Sequence, residues 1–257
     1  MSLELIKEIR QITGAGMVDV KQALDEAGGD KDKAVEILRK SGSKIAAKKS
    51  ERQVKEGVIA LARGADKLAV VELACETDFV ARNEDFIATV DSLAQKLLAD
   101  GQGDFESWAN DQIKNDLIVK IGENLRLGKF NLISGDIIGA YLHSNKKVAG
   151  VAVLAKGSVE LAKDIAMQIA AAAPKYLGPG DVPQDVVTKE QEIYREQLKN
   201  EGKPENMWDK ILPGKLQKFY SEVCLLKQVY IKDDKKTIET LLKESGAEIK
   251  EFYYYSL

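Results

Sequence analysis

Imidazole is nearly absent from this chain: among 257 residues there is one histidine, His143, and the thiols are limited to Cys75 and Cys224. Three N or S ligands fall one short of a structural zinc site built only from such groups, which excludes zinc fingers and iron–sulfur clusters. Any His-dependent triad or proton shuttle would have to run through His143. Two cysteines far apart in sequence make no disulfide framework, and the opening residues Met1 to Arg10 read as a charged amphipathic helix in place of a secretory signal. Reducing cytoplasm is the expected compartment. Runs of ~18 apolar residues are missing too: the longest near-apolar stretch, Val148 to Ala155, has the length of a strand, so no membrane span is expected.

Neither sign of charge dominates. Lys and Arg number 38 against 41 Asp and Glu, a net charge of −3, where a protein that coats nucleic acid needs a clear basic excess. Nucleotide signatures are absent as well. Gly128-Lys129, Gly202-Lys203 and Gly214-Lys215 are followed by Phe130, Pro204 and Leu216 where a phosphate loop needs Ser or Thr for magnesium, and no Gly-x-Gly-x-x-Gly follows a strand. Hence no cofactor and no metal of its own is expected, and function has to come from how the chain is organised.

That organisation is α+β. Leu3, Ile6, Ile9 and Ile12, then Met17, Val20, Ala23 and Leu24, then Ala34, Val35 and Leu38 after an Asp30 cap, predict three short helices ending at Gly42. A three-helix unit of this size, residues 1–42, suits docking better than catalysis. Residues 43–56 read as a basic linker, within a run Lys40, Lys44, Lys48, Lys49, Arg52 and Lys55. From Gly57 the period becomes strand-like: a hairpin over Val58 to Cys75, a helix from Phe86 to Leu98 capped by Asn83, a helix over Phe105 to Leu125, and a strand at Lys129 to Ile133. After Gly139 the grammar repeats, with a hairpin over Ala140 to Ala155 and a helix from Val159 to Ala170. Two related subdomains of antiparallel sheet plus helices follow, 57–138 and 139–257, the second with a helical-hairpin (coiled-coil) insertion at about 183–223.

No constellation has the makings of a catalytic centre. His143 sits beside a polar turn, an ordinary place for a surface imidazole, and Cys75 lies in an apolar strand as a packed thiol. The segment Glu76-Thr77-Asp78-Phe79-Val80-Ala81-Arg82-Asn83 is different, since it turns a strand into a helix and can set an acid and an aromatic ring side by side. Two readings stand open on pattern alone. Asp78 and Phe79 form a binding hot spot, or Phe79 staples the helix to the sheet while Asp78 complements the helix dipole.

The run Thr13-Gly14-Ala15-Gly16-Met17, with Asp19, Lys21 and Ala23-Leu24, followed by Glu76 to Asn83, closely resembles the bacterial translation elongation factor Ts family. Gly122-Glu123-Asn124, Ile165 to Ala171, Gly214 to Phe219 and Gln228 to Asp233 extend the resemblance over nearly the whole chain. It implies a guanine nucleotide exchange factor for the GTPase elongation factor Tu, acting by binding and not as an enzyme. It also implies that the three-helix module is similar to a ubiquitin-associated domain and meets the partner through Ile9, Met17 and Val18. Thr77, Asp78, Phe79 and Val80 correspond to the wedge that disturbs the partner's magnesium, Ala81, Arg82 and Asn83 adjoin it, and His143 resembles a second contact. The hairpin insertion resembles a family element that touches Tu or a second copy of Ts, so a homodimer or two-to-two complex is an expectation; direct nucleic-acid and membrane contacts are not.

The resemblance is imperfect in places. Leu125 to Phe130 lacks the paired arginines common after Gly-Glu-Asn, and Gln228-Val229-Tyr230 stands where Gln-Pro-Phe is frequent. The chain stops at Leu257 where many members continue into a C-terminal helical module, which predicts a smaller interface. A rival reading, a ribosome- or RNA-binding module, rests on Lys40 to Lys55 but lacks interleaved aromatics.

Overall fold

Apolar residues three and four apart fold the start of the chain into α1 (Leu3–Thr13), α2 (Met17–Glu26) and α3 (Lys31–Lys49) in a computed structural model that describes residues 2–257, apart from the side chains of residues 39 and 41–48. Side chains of Ser2 and Asp30 cap α1 and α3, and Gly14, at φ 67°, closes α1 in the left-handed region that glycine enters without strain. Ile6, Ile9, Val20, Leu24, Ala34 and Leu38 meet in a small core. The expected stop at Gly42 is not used: α3 runs through it to Lys49, so the segment read as a linker from 43 begins inside a helix. One interior glycine costs about 1 kcal/mol relative to alanine. Against that, α3 packs on the Ile113–Ile121 segment, and the Lys49 ammonium donates to the Gly122 carbonyl. Lys44 and Lys48, part of the expected basic run, fall outside the described side chains.

Apolar runs bounded by turn residues then build an antiparallel sheet from β1 (Glu56–Arg63), β2 (Lys67–Cys75) and β3 (Arg126–Ser134), in the order β1-β2-β3. Between β2 and β3 come α4 (Asp78–Ala81), α5 (Glu84–Asp100), α6 (Phe105–Gln112), a five-residue π turn at Ile113–Leu117, and α7 (Ile118–Ile121). Every second strand residue, Val58, Ala60 and Ala62 with Ala69, Val71 and Leu73, joins Phe86, Val90, Leu93 and Leu97 of α5 in one core. The single helix expected over Phe105 to Leu125 is broken by the π turn. Ile113 and Ile118 are both buried in this core, and residues five apart lie on different faces of an α-helix but come together across a wider turn.

A bulge interrupts the β2–β3 pairing. Val71 faces Phe130 and Leu73 faces Leu127, so Glu72 alone opposes Gly128 and Lys129. The Lys129 amide donates to Glu72 Oε2 at 2.9 Å, while the buried Oε1 has no partner. Burial pushes this carboxyl above the ordinary carboxylate range, against the opposing pull of the Lys129 amide and ammonium.

Contacts divide the chain into one unit ending at Ser134, with 145–147 and Leu257, and a second of Gly135–Ser144 and Val148–Ser256. The division lies four residues before the expected one because β4 (Ile137–Leu142) starts ahead of Ala140, with Ile137 paired to Leu154. In the second unit β4, β5 (Val148–Lys156) and β8 (Glu248–Ser256) form an antiparallel sheet in the order β4-β5-β8. Helix α8 (Val159–Ala172) lies hard against it: a Cβ on Gly139 would stand 1.9 Å from the Ala162 carbonyl carbon, and one on Gly150 2.1 Å from the Ala166 oxygen. Only glycine permits that approach. Helices α9 (Gln184–Asn200) and α10 (Trp208–Val223) make the inserted hairpin, with Leu198 and Leu212 buried. A two-stranded ribbon, β6 (Val229–Tyr230) with β7 (Asp233–Thr237), and α11 (Ile238–Glu244) precede β8; the ribbon was not anticipated. Among the described residues no helix is long and apolar enough to cross a membrane.

Candidate partner-binding site

At the end of β2 the backbone leaves the sheet through Glu76 and Thr77 and winds into the single turn α4. Thr77 is extended, and its hydroxyl accepts from the Val80 amide at 3.4 Å as the N-cap. Downstream, Asn83 Oδ1 accepts from the amides of Asp85 and Phe86 at 2.8 and 3.2 Å and so starts α5. A four-residue helix cannot sustain itself, because nucleation fixes several residues for one hydrogen bond. Its geometry is imposed from outside.

The outside support is Glu123. Gly122, at φ 85°, ends α7 and delivers Glu123 to the start of the segment. Its Oε2 accepts from the backbone amides of Glu76 and Thr77 at 2.9 and 3.1 Å, and its Oε1 accepts from the Thr77 hydroxyl at 2.5 Å. The neighbouring Asn124 amide donates to Glu76 Oε1 at 2.6 Å, and Asn124 Nδ2 donates to the Arg52 carbonyl at 2.8 Å. Arg52 in turn lies 3.5 Å from Glu76 Oε1. Gly122-Glu123-Asn124 stands out in the sequence as a motif, but nothing in its spacing says that it grips residues more than forty positions away.

Side chains of α4 divide by face. Ala81 is buried and Val80 packs half-buried on the sheet core. Asp78 pairs with Arg82 at 3.2 Å. Phe79 is 85% exposed. The staple reading of Phe79 therefore fails: Val80 and Ala81 anchor the turn, and the phenyl ring stands in solvent beside a carboxylate. A cavity of about 200 Å³ lies between Val80, Asn83, Phe86 and Lys120.

Other expected contact residues separate. Met17 and Val18 are 54% and 78% exposed at the start of α2, whereas Ile9 is fully buried. It occupies the inward face of α1 with Ile6 and Thr13, so it supports the module and offers no surface to a partner. Leu3 and Ile12, which helical spacing groups with Ile6 and Ile9, are instead exposed on the same module. His143 belongs to the second unit, exposed just after β4, with its amide donating to the Val148 carbonyl and its ring edge-on to Tyr141 at 6.4 Å. The structure thus gathers Thr77 to Asn83 into one turn and leaves His143 on a separate unit. Both cysteines are buried. Burial pushes the Cys75 thiol up to about 12, with the carboxylates of Glu123 and Glu56 adding to the shift, and burial pushes Cys224 up to about 11.

Comparison with known proteins bears on the family to which the chain belongs. The family model described as "Elongation factor TS" matches residues 76–257, beginning at the residue that opens the segment. The elongation factor Ts of Hydrogenobaculum sp. (strain Y04AAS1) is 42% identical, covering 100% of this chain and 98% of its own length. Those of Deinococcus deserti and Aquifex aeolicus (strain VF5) are each 41% identical, over 99% and 100% of this chain and 99% and 98% of their own lengths. Matches of that extent leave one conclusion: the chain belongs to the elongation factor Ts family.

Proposed function

We propose that this protein is the guanine nucleotide exchange factor for elongation factor Tu and that it acts by binding, with no bond made or broken. Family membership supports the activity, and one observation carries the mechanism: the exposed Phe79 ring on a single turn held at both ends. Phe79 and Asp78 enter the partner beside the magnesium ion and phosphates of bound GDP. A GTPase holds its nucleotide largely through that magnesium and its phosphate loop. A factor that prefers the conformation in which both are displaced lowers GDP affinity, and by reciprocity GDP expels the factor. Each tenfold gain in GDP release asks for about 1.4 kcal/mol, so a thousandfold effect needs roughly 4 kcal/mol from Thr77 to Val80 and their neighbours, of which one aromatic hot spot supplies half or more.

In this reading the α1–α3 module, similar to a ubiquitin-associated domain, docks through Met17 and Val18, and His143 adds a contact from the second unit. The α9–α10 hairpin, which exposes Ile193 and Met207, meets the same partner or a second copy of this chain, in a homodimer or two-to-two complex. The work is placed in the cytoplasm, where translation occurs. Family membership lends no support to the RNA-binding alternative. The deciding experiment is release of fluorescent GDP from elongation factor Tu. Substoichiometric protein accelerates it if the reading is right, and release at the intrinsic rate with saturating protein refutes it.

A further inference from the structure

We propose that Glu123 is a positioning residue of nucleotide exchange: it acts through Phe79, by fixing the start of the turn that presents the ring. The inference rests on the exchange-factor reading above. Three donors converge on one carboxylate, the amides of Glu76 and Thr77 and the Thr77 hydroxyl, and all three belong to the two residues that precede α4. A carboxylate accepts only and has lone pairs for each of them. The same Thr77 hydroxyl accepts from Val80, so the cap of α4 is itself oriented by Glu123. Glu76 is held in parallel through the Asn124 amide.

Without the carboxylate, two partly buried amides lose their acceptor and the cap loses its anchor. The turn is too short to restore itself from its own hydrogen bonds, so Phe79, which has no packing of its own to hold it, spreads over many orientations. The cores made by Phe86, Val90 and Leu93 on the sheet do not depend on Glu123. Its removal therefore falls on the presentation of the ring. Gln is the conservative replacement: its amide oxygen accepts from the two backbone amides, and its NH2 group donates to the Thr77 oxygen.

The test is a double-mutant cycle on release of fluorescent GDP from elongation factor Tu at saturating factor. Glu123→Ala is expected to slow release about tenfold, Glu123→Gln to retain most of the rate, and Glu123→Ala with Phe79→Ala to be no slower than Phe79→Ala alone. Single effects that multiply in the double variant overturn the proposal, because a merely structural residue acts independently of the ring. A slow Phe79→Ala beside an unimpaired Glu123→Ala overturns it alone. Phe79→Ala at the wild-type rate overturns the wedge reading and this inference with it. If Glu123→Ala melts below the assay temperature, Thr77→Val, which deletes only the hydroxyl, carries the cycle with an expected loss of about threefold; no loss there refutes the clamp.

Discussion

Replacing Phe79 by alanine separates stability from function. The ring is 85% exposed and joins none of the hydrophobic cores among the described residues, so its loss exposes almost nothing that folding had covered. The melting temperature is expected to stay within about 2 °C of wild type, as for surface substitutions away from special features. Exchange responds differently. A phenylalanine side chain offers 150 Å² or more of apolar area, and at about 25 cal/mol per Å² its burial in a partner is worth up to roughly 4 kcal/mol, with 2 a realistic lower figure for a central aromatic. That range is a loss of about 30-fold to 1,000-fold. Where it falls tells how the ring works. If Phe79 binds only the state with magnesium displaced, the loss stays in the release rate at saturating factor; if it binds all states alike, the loss appears in the concentration needed for half-maximal release. Stopped-flow release of fluorescent GDP over a titration of the variant reads both. A wild-type release rate at saturation refutes the wedge, and a melting temperature several degrees lower refutes the claim that the ring takes no part in the fold.

Three further outcomes follow from the packing. Gly150→Ala places a methyl 2.1 Å from the Ala166 carbonyl oxygen, a backbone atom that no rotamer change can move away; a loss of about 3 kcal/mol, read as a fall of roughly 6–12 °C in thermal unfolding, is expected. Ile9→Ala leaves a hole in the three-helix core and costs about 2–5 kcal/mol there, whereas Val18→Ala leaves the melt unchanged and weakens binding to elongation factor Tu; calorimetry and binding titrations of both variants distinguish support from contact. The folded state raises the Glu72 pKa, so folding favours the protonated carboxyl: its contribution is fully present below the unfolded pKa and is lost as pH rises through the folded value. Glu72→Gln should then melt above wild type near pH 8 and match it near pH 4, and a constant offset across that range refutes burial of the charge as the cause.

Period and capping carried much of the architecture. Two apolar runs, Val58 to Ala62 and Leu68 to Cys75, on either side of Gly64-Ala65-Asp66 specified the first hairpin, and Asn83 followed by Glu84-Asp85 marked the start of α5 at the residue where it begins. The failures have physical causes. Gly42 reads as a stop when judged locally, but tertiary packing of α3 outweighs one glycine. The π turn at Ile113–Leu117 is invisible to a 3.6-residue template because its inward residues are five apart. Phe79 could not be assigned from spacing, since a staple and a hot spot need the same residue in the same place; exposure alone tells them apart. Ile9 shows the converse, as motif matching marks that a residue matters without saying whether it is lined up for the core or for a partner. The grip of Glu123 on Glu76 and Thr77 is a long-range contact, and one sequence contains no measure of distance.

The strand order β4-β5-β8 also has a consequence in time. While the chain is being synthesised, the first sheet is complete once Ser134 has emerged, but β5 must wait for β8, and about 90 residues separate the two strands. At roughly 5–20 residues per second that wait is about 5–20 s. Throughout it one edge of Val148–Lys156, an apolar strand, has unpaired amides and carbonyls and is open to the wrong partner. A nascent chain of this protein therefore passes through an interval in which that edge has no strand of its own sheet to pair with.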